Sequence, residues 1–241
     1  MKIIRAHAVA VCILLALSTA SSPAQSVSQK FNDAIKRSDA GAEVVTRLAQ
    51  LSQSGIPKEL IDKAEAAGVF PCKKTDLLIE HAVICAGAIS RHLQTGWTQP
   101  AFYRFAGGGF GRPDQALGDS ATIILLFMDS ESIDWLREVL RFTGEKEAKA
   151  GPLGSITSEQ RLGLAKAHII TYADRKGELS ARDLRESSAK AIGLNQDNHL
   201  NTQLYRMKGH EVLAGKKVDP ASLPDGIAAF REALQKYYPS H

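Results

Sequence analysis

An α+β fold, one domain with a twisted antiparallel (barrel-like) sheet flanked by helices, follows from three features of the 241-residue chain. Residues 101–106 set Ala101, Tyr103 and Phe105 against Phe102, Arg104 and Ala106, the period-two pattern of a half-buried strand. Residues 121–128 are apolar on both faces and bounded by turn residues, as in a strand covered on both sides. Segments with helical spacing lie at the N-terminus, in the middle and at the C-terminus, and no internal repeat or low-complexity linker divides them. A chain of this size, 44% hydrophobic and 23% charged, is sufficient for one proper core.

The elements follow in order. Residues 1–24 read as a signal peptide: Lys2 and Arg5 precede an apolar run, and Ser22-Pro23-Ala24 offers small residues for cleavage after Ala24, with Ala20 a near alternative. The apolar run, residues 8–17, is too short to span a bilayer core of about 30 Å, so an exported protein, periplasmic or secreted, is expected. Cys12 lies inside that run and does not read as a lipoprotein acceptor. Residues 25–54 form an N-terminal helical segment packed on the domain. Phe31, Ile35, Val45, Leu48 and Leu51 make its stripe, with a break expected near Gly41. The domain proper is expected over residues 55–237. A second helix has Pro57 in its first turn, Leu60, Ile61 and Ala64 on one face and Gly68 as its stop.

Strands are then expected at 69–72, 77–79 and 82–89, ahead of the strand at 101–106, the glycine cluster Gly107, Gly108, Gly109 and Gly111, and the strand at 121–128. Ser130 caps a helix over 131–141, and Gly144 lies just past its end. Thr157 and Gln160 have capping-box spacing. Residues 168–172 are β-like and pair with 178–187 across Lys176-Gly177. Leu200, Leu204 and Met207 follow helical spacing, as do Ile227, Phe230 and Leu234 in a last helix started by Asp225.

Several segments together resemble the SYLF domain, a lipid-binding module of eukaryotic membrane-trafficking proteins and of many bacterial secreted proteins. They are the W-T-Q-P-A-F run from Trp97 with its glycine-rich turn, Gly118-Asp119-Ser120 and the strand ending at Met128; Ile56-Pro57 leading to Val69-Phe70-Pro71; Ala150-Gly151-Pro152-Leu153-Gly154; Tyr172 with Arg175, Lys176 and Gly177; and Asp197, Asn201 and Tyr205. The resemblance spans roughly residues 56–234. Where that family carries a glycine-rich second strand, this chain reads LLIEHAVICAGAIS with Gly87 alone. The resemblance implies binding of a lipid or membrane surface without catalysis and without a cofactor. Eukaryotic members meet phosphoinositides; an exported protein of bacterial type would meet anionic phospholipids such as cardiolipin or phosphatidylglycerol. An envelope scaffold or stress protein that binds another envelope protein through the same surface is the alternative from a different class, and a hydrolase is the third.

Charge and chemistry narrow these readings. The 30 basic residues fall to 28 without Lys2 and Arg5, against 26 acidic ones, so the mature chain carries +2, too little for the basic stripe that nucleic acid requires. Cys72 and Cys85 then remain, either as a disulfide worth about 3 kcal/mol in a loop of this length or as two buried thiols. Gly118-Asp119-Ser120 departs from the GDSL hydrolase motif at Ala121, and Ser187 with Lys190 lacks the companion motifs of serine–lysine enzymes. No G-K-[ST] follows the glycine cluster, and His81 and His92 have no metal-ligand spacing with either cysteine, so no metal is expected. Lys58, Lys63, Lys73 and Lys74 are the candidate contacts to an anionic surface, at about 1 kcal/mol each. Trp97, Phe102 and Phe110 are the candidates for apolar insertion, at about 1.5–3 kcal/mol per buried side chain.

Overall fold

The computed structural model describes residues 23–51, 54–76, 81–106, 121–142, 148–175, 177–181, 184 and 193–239. Residues 1–22 of the expected signal peptide (1–24), the strand at 77–79, the glycine cluster with Phe110, Ser120, and the Ser187–Lys190 pair all lie outside the described residues.

A strongly curled sheet forms a half-barrel flanked, among the described residues, by seven α-helices, an α+β domain as expected. Its strands are β1 (Ala66–Asp76), β2 (His81–Leu93), β3 (Gly96–Trp97), β4 (Ala101–Ala106), β5 (Ala121–Phe127), β6 (Leu140–Arg141), β7 (Ala148–Ala150), β8 (Ile169–Arg175), β9 (Glu178–Ala181) and β10 (Gly193–Gln196). They run in the order β6-β10-β4-β2-β1-β5-β8-β7, with β3 beside β2 and β9 beside β8. Among the described residues every pairing is antiparallel but one, because β7 runs parallel to β8 and makes the sheet mixed. The edge strands β6 and β7 are separated by residues 142–147 alone. A link that short reaches about 25 Å at full extension, so the sheet has to curl for one segment to supply both edges.

The apolar run of β5 is buried between β1 and β8, with Leu125 and Phe127 at 0% exposure. Phe70 meets Phe105 edge to face and Phe105 stacks on Phe142, with ring centroids 5.2 and 5.8 Å apart. At Gly87, β2 lies close against the backbone of β1: a Cβ there would lie 1.8 Å from the Val69 carbonyl oxygen. Cys72 and Cys85 face each other in the β1–β2 ladder and form a disulfide. Between β3 and β4 the register slips by one residue, from His92 opposite Trp97 to Ile89 opposite Ala101. This is a bulge, closed by Thr98: its Oγ1 accepts from Arg91 N (3.0 Å) and its carbonyl from Ser90 Oγ (2.5 Å).

The helices are α1 (Pro23–Gln50), α2 (Lys58–Lys63), α3 (Ser130–Asp134), α4 (Ser158–Leu164), α5 (Asn198–Tyr205), α6 (Gly209–Leu213) and α7 (Ala229–Tyr237). Helix α1 is continuous through Gly41, contrary to the expected break. Ala34, Ser38, Gly41, Val45 and Leu48 form its buried stripe. A Cβ on Gly41 would sit 2.7 Å from the Phe230 ring of α7, so the residue provides a groove for that ring. Ser38 Oγ donates to Ile227 O (2.7 Å) and accepts from Phe230 N (3.0 Å), joining the two helices in the interior. Ion pairs of Arg37 with Asp197 (3.1 Å) and of Arg47 with the buried Asp174 fasten α1 to the rest of the domain.

Other boundaries differ from expectation for local reasons. Pro57 is the N-cap of α2, and Ala64 (ψ 129°) already turns into extended chain, so Gly68 lies inside β1. Asp129, and not Ser130, caps α3 through its carboxylate and Ser132 N (2.9 Å). That helix ends at Asp134, passes through a 3-10 turn at Trp135–Arg137 and extends at Glu138, because Leu140 and Arg141 pair with β10. Helix α7 begins at Ala229, after a turn that contains Asp225.

Candidate functional site

A cleft of about 410 Å³ opens between α2 and α4. Four separate stretches of chain build it. Leu60 comes from α2, Met128 from the end of β5, Ile170 from β8 and Leu164 from α4, with Ile156 and Ala167 on the segments flanking α4. Leu60, Ala167 and Ile170 are buried, while Met128, Ile156 and Leu164 are partly exposed to the cleft side. Glu59, Lys63, Asp129, Arg161 and Ala165 stand on the rim.

The wall formed by α4 is carried by the turn at residues 151–157. Gly151 N donates to Thr171 O (3.2 Å), and the Tyr172 hydroxyl donates to Pro152 O (3.2 Å). Burial pushes the Tyr172 phenol up from its ordinary value, so it stays protonated and serves as a donor. Gly154 takes the left-handed conformation (φ 75°), which favours glycine, and its N–H reaches Gly55 O at 2.8 Å, tying this turn to the one before α2. Thr157 and Gln160 complete the expected capping box (3.1 and 3.0 Å). Arg161 then reaches across the cleft to Glu59 with two hydrogen bonds, one of them 3.1 Å, and Lys149 Nζ donates to Gly163 O (2.7 Å). Helix α4 has no buried residue, and Leu162 is 78% exposed.

The rim charges are unequally committed. Glu59 is matched by Arg161. Asp129 accepts from Ser132 N, and its other oxygen lies 2.6 Å from His168 Nδ1, whose ring rests against Trp135 (5.0 Å between centroids). Lys63 is exposed and has no hydrogen-bond or ion-pair partner among the described residues.

The residues expected to touch a membrane are distributed differently. Lys58 is paired with Asp62 (2.6 Å) and lies over the Tyr238 ring at 5.8 Å. Lys73 is exposed seven positions along β1 from Ala66, about 23 Å at a strand's rise per residue, so it does not share an edge with Lys58 and Lys63. Lys74 follows Lys73 in β1; its side chain is outside the described residues. Trp97 is 5% exposed and donates its indole N–H to Tyr238 O (2.7 Å), and Phe102 is fully buried and stacked on Tyr205. Both are core residues, held by packing that leaves no ring at the surface, and neither is available for insertion. Arg161, Leu162, Leu164 and Ile156 were not singled out by sequence. The signal in that stretch was the capping-box spacing of Thr157 and Gln160 alone.

Among the described residues no group of three or more His, Cys, Asp or Glu is placed to hold a metal ion, and no helix is long and apolar enough to cross a membrane. Compared with models of known protein families and with curated proteins, the chain matches none.

Proposed function

We propose that the protein binds lipid or an anionic membrane surface without catalysing a reaction, as an exported domain of the kind the SYLF resemblance implies. The observation that carries this reading is the α2–α4 cleft: an apolar floor, a rim cation unpaired among the described residues and an exposed leucine on the helix beside it. The Cys72–Cys85 disulfide supports export, because such bonds persist in oxidising compartments. Leu162 buried in an interface would contribute about 2 kcal/mol and the less exposed Leu153 about 1. Lys63 and the exposed Lys166 add about 1 kcal/mol each near an anionic surface. The total, about 5 kcal/mol, corresponds to sub-millimolar binding.

Co-sedimentation with phosphatidylglycerol vesicles against phosphatidylcholine vesicles tests this. We expect retention on the first alone, sharply weakened by Leu162→Asp combined with Lys63→Glu and untouched by Lys73→Glu. Absence of retention on both vesicle types would overturn the reading.

A further inference from the structure

The estimated surface contact is weak on its own, and the cleft beside it offers a stronger hold. Building on the lipid-binding reading, we propose that the cleft takes a single acyl chain bearing an anionic head, with the chain on the apolar floor and the head against Lys63. At about 410 Å³ the cleft falls at the lower end of the size range of ligand sites, about 300–1,000 Å³. At roughly one water's share of volume per methylene, about 30 Å³, it holds about a dozen chain carbons, one chain and not two.

The floor sets the chemistry of the tail. Leu60, Ile156, Leu164 and Ile170 present hydrocarbon, so a polar ligand would lose its hydration there without replacement. The rim sets the chemistry of the head. Glu59 is engaged by Arg161, and Asp129 by Ser132 and His168, which leaves Lys63 as the rim charge without a partner among the described residues. A carboxylate or a phosphate satisfies it, and a neutral head does not. Leu162, on the outer face of the helix that walls the cleft, places this opening beside the surface proposed to meet the bilayer, from which a chain can be drawn.

Ala165 provides the test, because it lines the cleft yet is exposed, so a larger side chain there obstructs the opening without entering the core. The probe is cis-parinaric acid, a fluorescent single-chain fatty acid, compared with its methyl ester, and the same proteins are sedimented with phosphatidylglycerol vesicles. We expect the unaltered protein to take up about one acid per chain. Lys63→Glu should weaken it about fivefold, and Ala165→Trp more than tenfold, with the urea midpoint of each variant unchanged. Ala165→Trp should still sediment with the vesicles through Leu162 and the lysines. If vesicle competition displaces the acid, phospholipid chains share the site; if it does not, free fatty acid is the occupant, and either result upholds the acyl site. Uptake unchanged by Ala165→Trp, or an ester bound as tightly as the acid, would overturn it. Vesicle binding without probe uptake overturns the cleft assignment alone; loss of both overturns the lipid reading as well.

Discussion

Gly151 lies under the ring of Tyr172, and a Cβ built on it would meet the tyrosine hydroxyl at 2.1 Å. Alanine there must displace a fully buried ring and its hydrogen bond to Pro152, on which the turn leading to α4 depends. We expect Gly151→Ala to cost about 2–3 kcal/mol, as overpacking does, read from the urea midpoint. Gly163, in the exposed α4, has nothing within 4 Å of such a Cβ, and Gly163→Ala is expected to stabilise by about 0.5–1 kcal/mol. Equal effects of opposite glycines would contradict this account of the turn. Asn201 shows the same economy on the other side of the sheet. Strand β10 ends at Gln196 opposite Tyr103, and the Asn201 amide then takes over, accepting from Phe102 N (2.8 Å) and donating to Phe102 O (2.9 Å). Tyr205 donates to Pro100 O nearby (2.7 Å). Two pairs of segments that carry the SYLF resemblance thus touch each other: the Gly151 turn with Tyr172, and Asn201 and Tyr205 with the run from Trp97. Their contacts are packing and hydrogen bonds between elements.

Among the elements, the β1–β2 hairpin bears the disulfide, with Cys72 and Cys85 13 residues apart. Closing a loop of that length restricts the unfolded chain by about 3 kcal/mol, so the Cys72→Ala/Cys85→Ala double variant is expected to lose about that much, measured by urea unfolding without reductant. An unchanged midpoint would mean that the ladder alone holds the hairpin. The strength of the pattern decided which elements sequence could reveal. Strand β5 was legible because Ile123, Ile124, Leu125 and Leu126 leave no other period, and α4 because Thr157 and Gln160 form a cap whose bonds are local. Strand β10 was not, since Leu194 is its only large apolar residue and Asn195 and Gln196 are extended by pairing with β4. Gly41 reads as a helix breaker until the Phe230 ring that fills its groove is known, and that ring lies 189 positions away.

At the level of the whole molecule, one curled sheet positions a cleft whose parts are remote in sequence. Lys63 was legible as a cation but not as the rim of a cavity, and Lys73 entered the same set only because charge in a sequence carries no geometry. Trp97 and Phe102 have the chemistry of membrane anchors, but the bulge at Thr98 and the stacking on Tyr205 turn them inward. Leu162, at 78% exposure on a helix with nothing buried, is the residue on which the proposed contact rests most directly. Native mass spectrometry after incubation with vesicles of phosphatidylglycerol, phosphatidylcholine and a free fatty acid, followed by separation from them, reads the bound lipid without a label. We expect a population heavier by one anionic lipid, either the fatty acid or a phosphatidylglycerol inserted by one of its chains, and none carrying phosphatidylcholine. A bare protein mass, or phosphatidylcholine retained as well as the anionic lipids, would contradict lipid binding at this cleft.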